Sequence, residues 1–219
     1  MTDPFIKPCT VEAVLFDFGG VLAEEGFRNG LLSIARHNGL EPEPFARTGF
    51  ELVFKVGYVV GRSDESTFWQ ALREQTGIRD ADEKLRKEIL SHFRLRVWMI
   101  ELVKKLKQRN VRLGILSDQT NWLDELDDAH KFFQYFDHVF NSYHMGKSKK
   151  DSSLYDDVLG FLKIQASQAL FVDDHEGNIE RAKQKGLHTI LYSDRESFRS
   201  DLAQFCPDIV AAVRDDGQS

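Results

Sequence analysis

The residues of this chain best suited to chemistry are short polar side chains that directly follow apolar runs. Asp17 follows the run VEAVLF at Val11–Phe16, and the pair Asp173 and Asp174 follows Ala169–Val172. Two further apolar runs are followed by the rest of the set, Ser117, Asp118 and Ser142. Carboxylates can act as nucleophiles or hold a hard divalent cation, and hydroxyls can donate hydrogen bonds to an anion. One such residue alone would mean little, because Ser and Asp after a strand are also common turn formers and helix caps.

Strands and helices that alternate along the chain would position these residues. The apolar patterns predict five strands, at Val11–Phe16, Val111–Leu116, His138–Phe140, Ala169–Val172 and His188–Leu191. Between them they predict helices at Trp98–Gln108, Asn121–Ala129, Ser152–Lys163 and Glu176–Lys185. Such alternation is typical of a parallel sheet with helices on both faces. We therefore expect a Rossmann-like, doubly wound α/β core with its ligand site at the carboxyl ends of the strands.

Residues 24–93 differ from the rest, because they show helical periodicity and no convincing strand. Helices are expected at Glu43–Val56, Asp64–Gln75 and Asp82–Phe93, with Ser63 or Asp64 capping the second. The aromatic residues of this segment are expected to pack in a core, with one or two facing a substrate: Phe45, Phe50, Phe54, Phe68, Trp69 and Phe93. The expected organisation is a catalytic core of residues 1–23 and 94–219 with an inserted helical cap at 24–93.

Composition and charge narrow the classes of partner. The 219 residues carry a formal net charge of -6, which gives no electrostatic reason to expect nucleic acid or an anionic membrane. Two cysteines, Cys9 and Cys206, lie near opposite ends and are expected to be reduced. No apolar run is long enough to span a bilayer, and residues 1–10 lack the pattern of a signal peptide. A cytoplasmic location is the default expectation.

Four segments resemble, in order, the motifs of the haloacid dehalogenase superfamily. VLFDFGGVL is similar to its first motif, GILSD to its second, GKSKKDSSLY to its third and LFVDDHEGNIERAKQKG to its fourth. The resemblance extends from about Val11 to Leu191. The first and fourth segments are its most specific parts.

The resemblance implies a role for each matching residue. Asp17 would be the nucleophile, Ser117 a hydrogen-bond donor to phosphate and Lys149 the partner for the phosphate charge. The further residues expected to border the substrate are Gly19, Gly20 and Asp118. A carboxylate can attack phosphorus only where the charge of the substrate is neutralised, because two anions otherwise repel strongly in a partly dry site.

The resemblance also implies a Mg²⁺ cofactor. Its expected ligands are Asp17, Asp174 and the backbone carbonyl of Gly19, and Asp173 would join them directly or through water. Mg²⁺ prefers hard oxygen ligands and usually keeps several waters, so two or three protein oxygens suffice. Asn178, on the first turn of the next helix, is expected to hold the ligand carboxylate in place.

Three lysines occupy the loop that resembles the third motif. The family usually has lysine, proline and aspartate there, and Lys149-Lys150-Asp151 fits this order with Lys150 in place of the proline. Lys149 is therefore the expected active lysine. Lys147 remains the alternative, and Lys150 is expected at the surface.

Gly19 departs from the pattern, because most phosphatases of the superfamily have a second aspartate two residues after the nucleophile to protonate the leaving group. General acid-base help is typically worth about 10²- to 10⁴-fold in rate. Three explanations stay open, of which the resemblance favours the first. The leaving group is a good one, as in an anomeric or acyl phosphate; another side chain, with Glu24, Glu25 and His37 as candidates, transfers the proton; or the reaction needs no acid.

These features together predict a magnesium-dependent phosphohydrolase. It would act on a small phosphorylated metabolite, for which a sugar phosphate is one candidate, through an aspartyl-phosphate intermediate. The alternative is a 2-haloacid dehalogenase, whose halide leaving group needs neither proton nor metal. Asp173 and Asp174 favour the metal enzyme, since the two carboxylates would repel an anionic substrate unless a cation lay between them. A phosphate-ligand binding protein without turnover is a third possibility, and the presence of Asp17 argues against it.

Overall fold

The computed structural model describes residues 9–212, which form five β-strands and eleven α-helices. The strands are β1 (Ala13–Phe16), β2 (Arg112–Ser117), β3 (His138–Asn141), β4 (Ala169–Asp173) and β5 (His188–Leu191). All neighbouring strands pair in parallel, in the spatial order β3-β2-β1-β4-β5. The predicted doubly wound α/β sheet is confirmed, and each strand lies within two residues of its predicted bounds.

The sheet is apolar on both faces, because alternate residues of a strand point to opposite sides. Val14 and Phe16 of β1 pack into one apolar cluster, whereas Ala13 and Leu15 pack into another. The first layer of helices contains α5 (Val97–Lys107), α6 (Trp122–His130), α10 (Arg195–Ala203) and α11 (Pro207–Ala212). The opposite layer contains α8 (Ser153–Leu162) and α9 (Glu176–Gln184). A short helix, α7 (Ser142–Met145), follows β3. Burial on both faces explains why β1 and β4 read as continuous apolar runs.

Four helices lie between β1 and α5: α1 (Gly26–His37), α2 (Pro42–Lys55), α3 (Glu65–Thr76) and α4 (Asp82–Ser91). Three of them were predicted, and Asp64 caps α3 by accepting a hydrogen bond from the Thr67 N–H at 2.9 Å. The boundaries proposed for a separate cap domain stay a prediction.

Helix α1 was missed as a separate helix. Its two glycines, Gly26 and Gly30, lower intrinsic helix propensity. Both lie where the helix backbone approaches its neighbours: a Cβ at Gly26 would overlap the ring of Phe93, and one at Gly30 would lie 2.5 Å from the Ile89 Cα. Tertiary packing therefore selects glycine at positions where local preference argues against a helix.

The four helices pack on the sheet domain through aromatic rings. Trp122 of α6 lies against Trp69 and Tyr58, with ring centroids 5.7 Å apart in each pair. The Tyr58 hydroxyl also donates to the Asn121 side chain at 2.6 Å. Most of the aromatic residues expected to pack are buried, but Phe50 keeps 37% of its surface exposed. The inserted helices are thus anchored to the strand ends by large buried side chains.

Cys9 and Cys206 form a disulfide, so the expectation that both are reduced was wrong. Their Cα atoms lie 4.3 Å apart, because the chain entering β1 runs beside the segment between α10 and α11, with the Thr10 N–H donating to the Phe205 carbonyl at 2.8 Å. Among the described residues, no helix has both the length and the apolar character needed to cross a bilayer. The expectation about a signal peptide falls largely on residues 1–8, which lie outside the described part.

The disulfide should contribute to stability. It closes a loop of 197 residues, so reduction should lower the free energy of unfolding by about 2–4 kcal/mol through a less constrained unfolded chain. Urea unfolding with and without dithiothreitol measures this difference. The Cys9→Ser variant is the control, because its stability should be that of the reduced protein and insensitive to the reductant. Two titratable thiols in the native protein would show that the bond does not form.

Candidate active site

Four of the predicted residues meet at the carboxyl ends of β1, β2 and β4. Asp17 directly follows β1, and its Oδ1 accepts a hydrogen bond from the Ser117 hydroxyl, at the end of β2, at 2.5 Å. Its Oδ2 lies 2.7 Å from the ammonium nitrogen of Lys149. The same ammonium lies 2.6 Å from Asp173 Oδ2 at the end of β4. All four residues are buried.

The Lys149 ammonium is almost completely removed from solvent, with 1% of the residue exposed. Burial by itself disfavours the charged ammonium, but the carboxylates of Asp17, Asp173 and Asp118 outweigh it and raise the pKa of Lys149. For Asp17, burial raises the pKa of the carboxyl; Lys149 opposes this shift and Asp173 adds to it. Lys149 is therefore a fixed positive charge, which compensates two carboxylates across the strand ends.

Asp173 is surrounded by donors. Besides Lys149, its carboxylate accepts from the Asn178 amide, at 3.1 Å to each oxygen, and from the His175 N–H at 2.8 Å. The expectation that Asn178 supports the ligand carboxylate is corrected in one respect, because its partner is Asp173 and not the more exposed Asp174. With its oxygens engaged in this way, Asp173 is better suited to fixing Lys149 than to binding a cation directly.

The loop that carries Lys149 is held by side chains from its surroundings. The Asp118 carboxylate accepts from the Lys149 N–H at 2.8 Å, and Arg181 Nε donates to the Lys149 carbonyl at 2.7 Å. Arg181 also donates to the Asn178 side chain at 2.6 Å, which joins the loop to α9. Arg181 was not singled out from the sequence, although it lies on the same helix face as Asn178, three residues later. Asp118, predicted to border the substrate, lines the cleft and also fixes the backbone of the active loop.

The other two lysines of the loop are placed differently. Lys147 lies at the surface, where it pairs with Asp157 and donates to Ser153 at 3.0 Å. The Lys150 ammonium lies 3.4 Å from the centre of the Phe54 ring, at the mouth of the cleft. Lys149 is thus the lysine that reaches Asp17. Ser142 is buried away from this cluster, and its hydroxyl donates to the Val59 carbonyl at 2.6 Å.

Asp17, Asp173 and Asp174 could hold a metal ion, because one oxygen from each lies within 4.8 Å of the others. This all-oxygen set has the chemistry that Mg²⁺ prefers. The Asp174 carboxylate packs against the turn after β1, where Gly20 has a φ of 81° and a Cβ would overlap that carboxylate. Partial desolvation, together with the charge of Asp173, raises the pKa of Asp174, which a bound cation would reverse. Asp17 and Asp174 therefore have the donor atoms that the ion needs, and Asp173 lies close enough to join them through water.

Glu25 lies beside the position where Gly19 lacks a side chain. A Cβ built on Gly19 would lie 3.1 Å from Glu25 Oε2, while Glu25 Oε1 accepts from the Arg28 N–H at 3.1 Å and caps α1. Burial in the cleft raises the pKa of the Glu25 carboxyl, and Asp174 adds to the shift. Of the three candidates for proton transfer, Glu25 is the one that lines the cleft.

The other two candidates are occupied elsewhere. Glu24 pairs with Arg96, with Nε and Oε1 3.1 Å apart, and His37 lies at the far end of α1 near Glu88. Arg96 also donates to the carbonyls of Gly20 and Val21, so it fixes the turn that follows Asp17. The sequence offered no signal for this residue, because it lies 76 positions after Gly20.

A cleft of about 370 Å³ connects these groups to solvent. The carboxylates and Lys149 line its inner end, and side chains of α1, α2 and α6 line the opposite wall. The Asp17 cluster and these side chains thus border one cavity of a size typical for small-molecule sites.

A family model described as haloacid dehalogenase-like hydrolase matches residues 14–192, which include all five strands of the sheet except the first residue of β1. The chain belongs to the haloacid dehalogenase-like hydrolase family. The resemblance of the four sequence motifs is therefore confirmed.

Solved structures of haloacid dehalogenase-like hydrolases share the fold. A HAD family enzyme from Bacteroides thetaiotaomicron has a TM-score of 0.72 and 21% identity, over 88% of this chain and 98% of that one. Its complex with magnesium and inorganic phosphate has a TM-score of 0.66 at 21% identity, with 84% and 94% covered. An L-2-haloacid dehalogenase from Xanthobacter autotrophicus with chloropropionic acid covalently bound has a TM-score of 0.64 at 16% identity, covering 96% and 91%. At these identities the likeness concerns the fold.

The matches to curated relatives cover only part of each protein. Bifunctional epoxide hydrolase 2 of Rattus norvegicus is 29% identical over 111 residues, which are 48% of this chain and 20% of the relative. Flavin mononucleotide hydrolase 1 of Arabidopsis thaliana is 26% identical over 105 residues, covering 48% and 43%. The matches thus span less than half the length of these relatives.

Replacing Lys149 by Met should destabilise this hydrolase by about 3–5 kcal/mol at neutral pH, because Asp17 and Asp173 would be left buried without a compensating charge. Since burial raises the pKa of Asp17, a protonated carboxyl relieves the repulsion, and the loss should grow as pH rises above 3.8, the ordinary pKa of an aspartate. Urea unfolding measures the loss. Lys147→Met is the matched control and should unfold like the wild type. A smaller loss in the Asp17→Asn background is expected, and equal losses in both backgrounds would contradict the coupling.

Proposed function

We propose that this chain is a magnesium-dependent phosphohydrolase that acts on a small phosphorylated metabolite through an aspartyl-phosphate intermediate. The observation that carries the proposal is the buried Asp17 carboxylate, held 2.5 Å from the Ser117 hydroxyl and 2.7 Å from the Lys149 ammonium beside two further carboxylates. An anion enters such a cluster only when cations neutralise it. A phosphorylated substrate carries more negative charge than a haloacid. Its charge explains why both a fixed ammonium and a set of carboxylates suited to a metal ion would be needed.

Asp17 would perform the nucleophilic step. Its Oδ2 faces the Lys149 ammonium and its Oδ1 faces Ser117, so two contacts fix the orientation of the carboxylate before substrate enters. One oxygen attacks phosphorus and the leaving-group oxygen departs on the opposite side; water later cleaves the acyl phosphate and restores the carboxylate. Mg²⁺ held by Asp17, Asp174 and the Gly19 carbonyl would supply further neutralisation of the phosphoryl oxygens.

Lys149 and Ser117 would bind the transferred group. The ammonium is rigid because Asp173 and the hydrogen bonds to the Lys149 backbone fix it from behind, so little reorganisation is needed as charge develops on the phosphoryl oxygens. The Ser117 hydroxyl can exchange its hydrogen bond with Asp17 for one with a phosphoryl oxygen.

Glu25 would transfer the proton that Gly19 cannot. A carboxyl with a raised pKa beside the reacting centre can protonate an alkoxide and then accept a proton from the attacking water. This assignment selects one of the three explanations left open by the sequence.

A haloacid dehalogenase activity is the second candidate. It is favoured by Gly19, since halide needs no proton, and by the shared fold of the Xanthobacter autotrophicus enzyme. The phosphohydrolase is preferred because Asp173 and Asp174 would repel the anionic substrate of a dehalogenase unless a cation lay between them. The net charge of -6 gives no electrostatic reason to expect nucleic acid as a partner, and the absence of such a partner stays a prediction. A cytoplasmic location also stays a prediction, and the disulfide weakens it, because such bonds are uncommon in reducing compartments.

The proposal predicts phosphate release that needs both magnesium and Asp17. Acetyl phosphate, p-nitrophenyl phosphate and 2-chloropropionate are incubated with purified protein in Mg²⁺ or EDTA, and phosphate and chloride are measured. Phosphate release should fall by at least about 10³-fold in Asp17→Asn, because the nucleophile is lost. Asp128→Asn, at an exposed aspartate, is the matched control and should retain the wild-type rate. Chloride release that persists in EDTA would establish the dehalogenase instead.

The role of Glu25 predicts a loss that depends on the leaving group. Glu25→Gln should slow hydrolysis of an alkyl phosphate by about 10²-fold, but that of p-nitrophenyl phosphate by less than about 5-fold, because p-nitrophenolate departs without a proton. The glutamine retains the oxygen that caps α1, so the variant should fold. Glu51→Gln, at an exposed glutamate of α2, is the control. An equal loss for both substrates would assign Glu25 to binding or structure and not to proton transfer.

A further inference from the structure

The wall of the cleft that faces away from Lys149 is apolar. It is formed by six side chains from α1, α2, the turn Tyr58–Val60 and α6: Phe27, Phe50, Val53, Phe54, Val59 and Trp122. The wall is continuous with the Asp17 cluster within the same cavity. A molecule that places a phosphate at Asp17 therefore places the rest of itself against aromatic and aliphatic carbon.

Two phenylalanines of this wall face the open space of the cleft. Phe50 is 37% exposed, and Phe54, one turn later on α2, is half-buried. Phe27 supports Phe50 edge-to-face, with ring centroids 5.1 Å apart, while the Lys150 ammonium covers the Phe54 ring. Rings held in this way offer flat apolar surface at little cost in side-chain entropy.

Few polar groups border this wall, namely the Thr120 hydroxyl and the Lys150 ammonium over the Phe54 ring. Thr120 Oγ1 accepts a hydrogen bond from the Trp122 N–H at 3.2 Å, and Gln119 lies near Gly19 at the inner end of the cleft. A sugar ring would give up hydrogen bonds to water from several hydroxyls on entering and regain few of them. Each hydroxyl left unpaired costs about 1–3 kcal/mol on the scale of protein variants. The wall therefore disfavours a sugar and favours a group without hydroxyls.

The size of the cavity limits the ligand. A volume of about 370 Å³ lies at the lower end of the range of small-molecule sites, and part of it must hold the phosphate. The remainder suits a group of one or two rings.

We propose that the substrate is the phosphate monoester of a small apolar, ring-containing alcohol or phenol, whose ring packs against Phe50 and Phe54 while its phosphate lies at Asp17. This inference rests on the phosphohydrolase function proposed above. It replaces the sugar phosphate considered from the sequence with an amphiphilic monophosphate.

The test compares two primary alkyl phosphates whose leaving groups have similar reactivity and different polarity, 2-phenylethyl phosphate and glucose 6-phosphate. The ratio of kcat/KM should favour 2-phenylethyl phosphate by about 10²-fold, because two or more sugar hydroxyls would lose their partners. Acetyl phosphate, which has no ring, is assayed in parallel as a readout of the phosphohydrolase itself.

Variants of the wall assign the preference to its residues. Phe50→Ser should raise KM for 2-phenylethyl phosphate by about 10-fold, through lost apolar contact, and change KM for acetyl phosphate, which has no ring to contact the wall, by less than about 3-fold. Phe161→Ser is the matched control, because Phe161 is also exposed, at 62%, but lies on α8 outside the cleft. It should leave both substrates unaffected.

The outcomes separate the two proposals. Hydrolysis of acetyl phosphate together with a glucose 6-phosphate rate equal to or above that of 2-phenylethyl phosphate would overturn the apolar substrate and leave the phosphohydrolase standing. A Phe50→Ser variant with unchanged KM for 2-phenylethyl phosphate would do the same. No phosphate from any of the three compounds would overturn both.

Discussion

The site depends on one buried ammonium group. Lys149 reaches between Asp17 and Asp173 at the ends of two adjacent strands and compensates the negative charge of both buried carboxylates. Placing three charges in the interior costs more desolvation energy than their attraction returns unless hydrogen bonds satisfy the remaining polar atoms. Ser117, Asn178 and the His175 N–H supply those bonds. The cluster therefore holds these charged groups in fixed positions at a cost in folding free energy. The packed core of the protein offsets that cost.

Hydrogen bonds between side chains and the backbone fix the loops that surround this cluster. Asp118 and Arg181 fix the Lys149 backbone from two sides, and Arg96 fixes the turn after β1 through two carbonyls. Tyr155 on α8 donates to the Asn178 carbonyl at 3.1 Å, which ties the first turn of α9 to its neighbour α8. Each loop is thus held by side chains from distant parts of the chain, namely Asp118 after β2, Arg96 before α5 and Arg181 on α9, so its geometry follows from the packed fold and not from the loop sequence.

The sequence predicted those parts of the structure that local patterns determine. The apolar runs before Asp17 and Asp173 identified β1 and β4, and the parallel order implied that both aspartates share one edge. Helix α1 was missed because Gly26 and Gly30 oppose it locally, and only contacts with Phe93 and Ile89 make glycine favourable. The disulfide could not be read from a spacing of 197 residues, since it depends on where the chain ends meet. The choice between Glu24 and Glu25 likewise depended on Arg96, a distant residue that engages one of these neighbours.

Because residue 19 is glycine, the proposed proton donor, Glu25, comes from the inserted helices and not from the turn after β1. An acid on the turn after β1 would be fixed to the sheet, whereas Glu25 lies at the first turn of α1, where the inserted helices begin. The same helices carry Phe27, Phe50 and Phe54, which form the apolar wall. In the proposed mechanism, the group that protonates the leaving group and the residues that recognise it therefore belong to one packed unit. Proton transfer then requires that the inserted helices stay packed against the strand ends. The contact between Tyr58 and Trp122 holds them there.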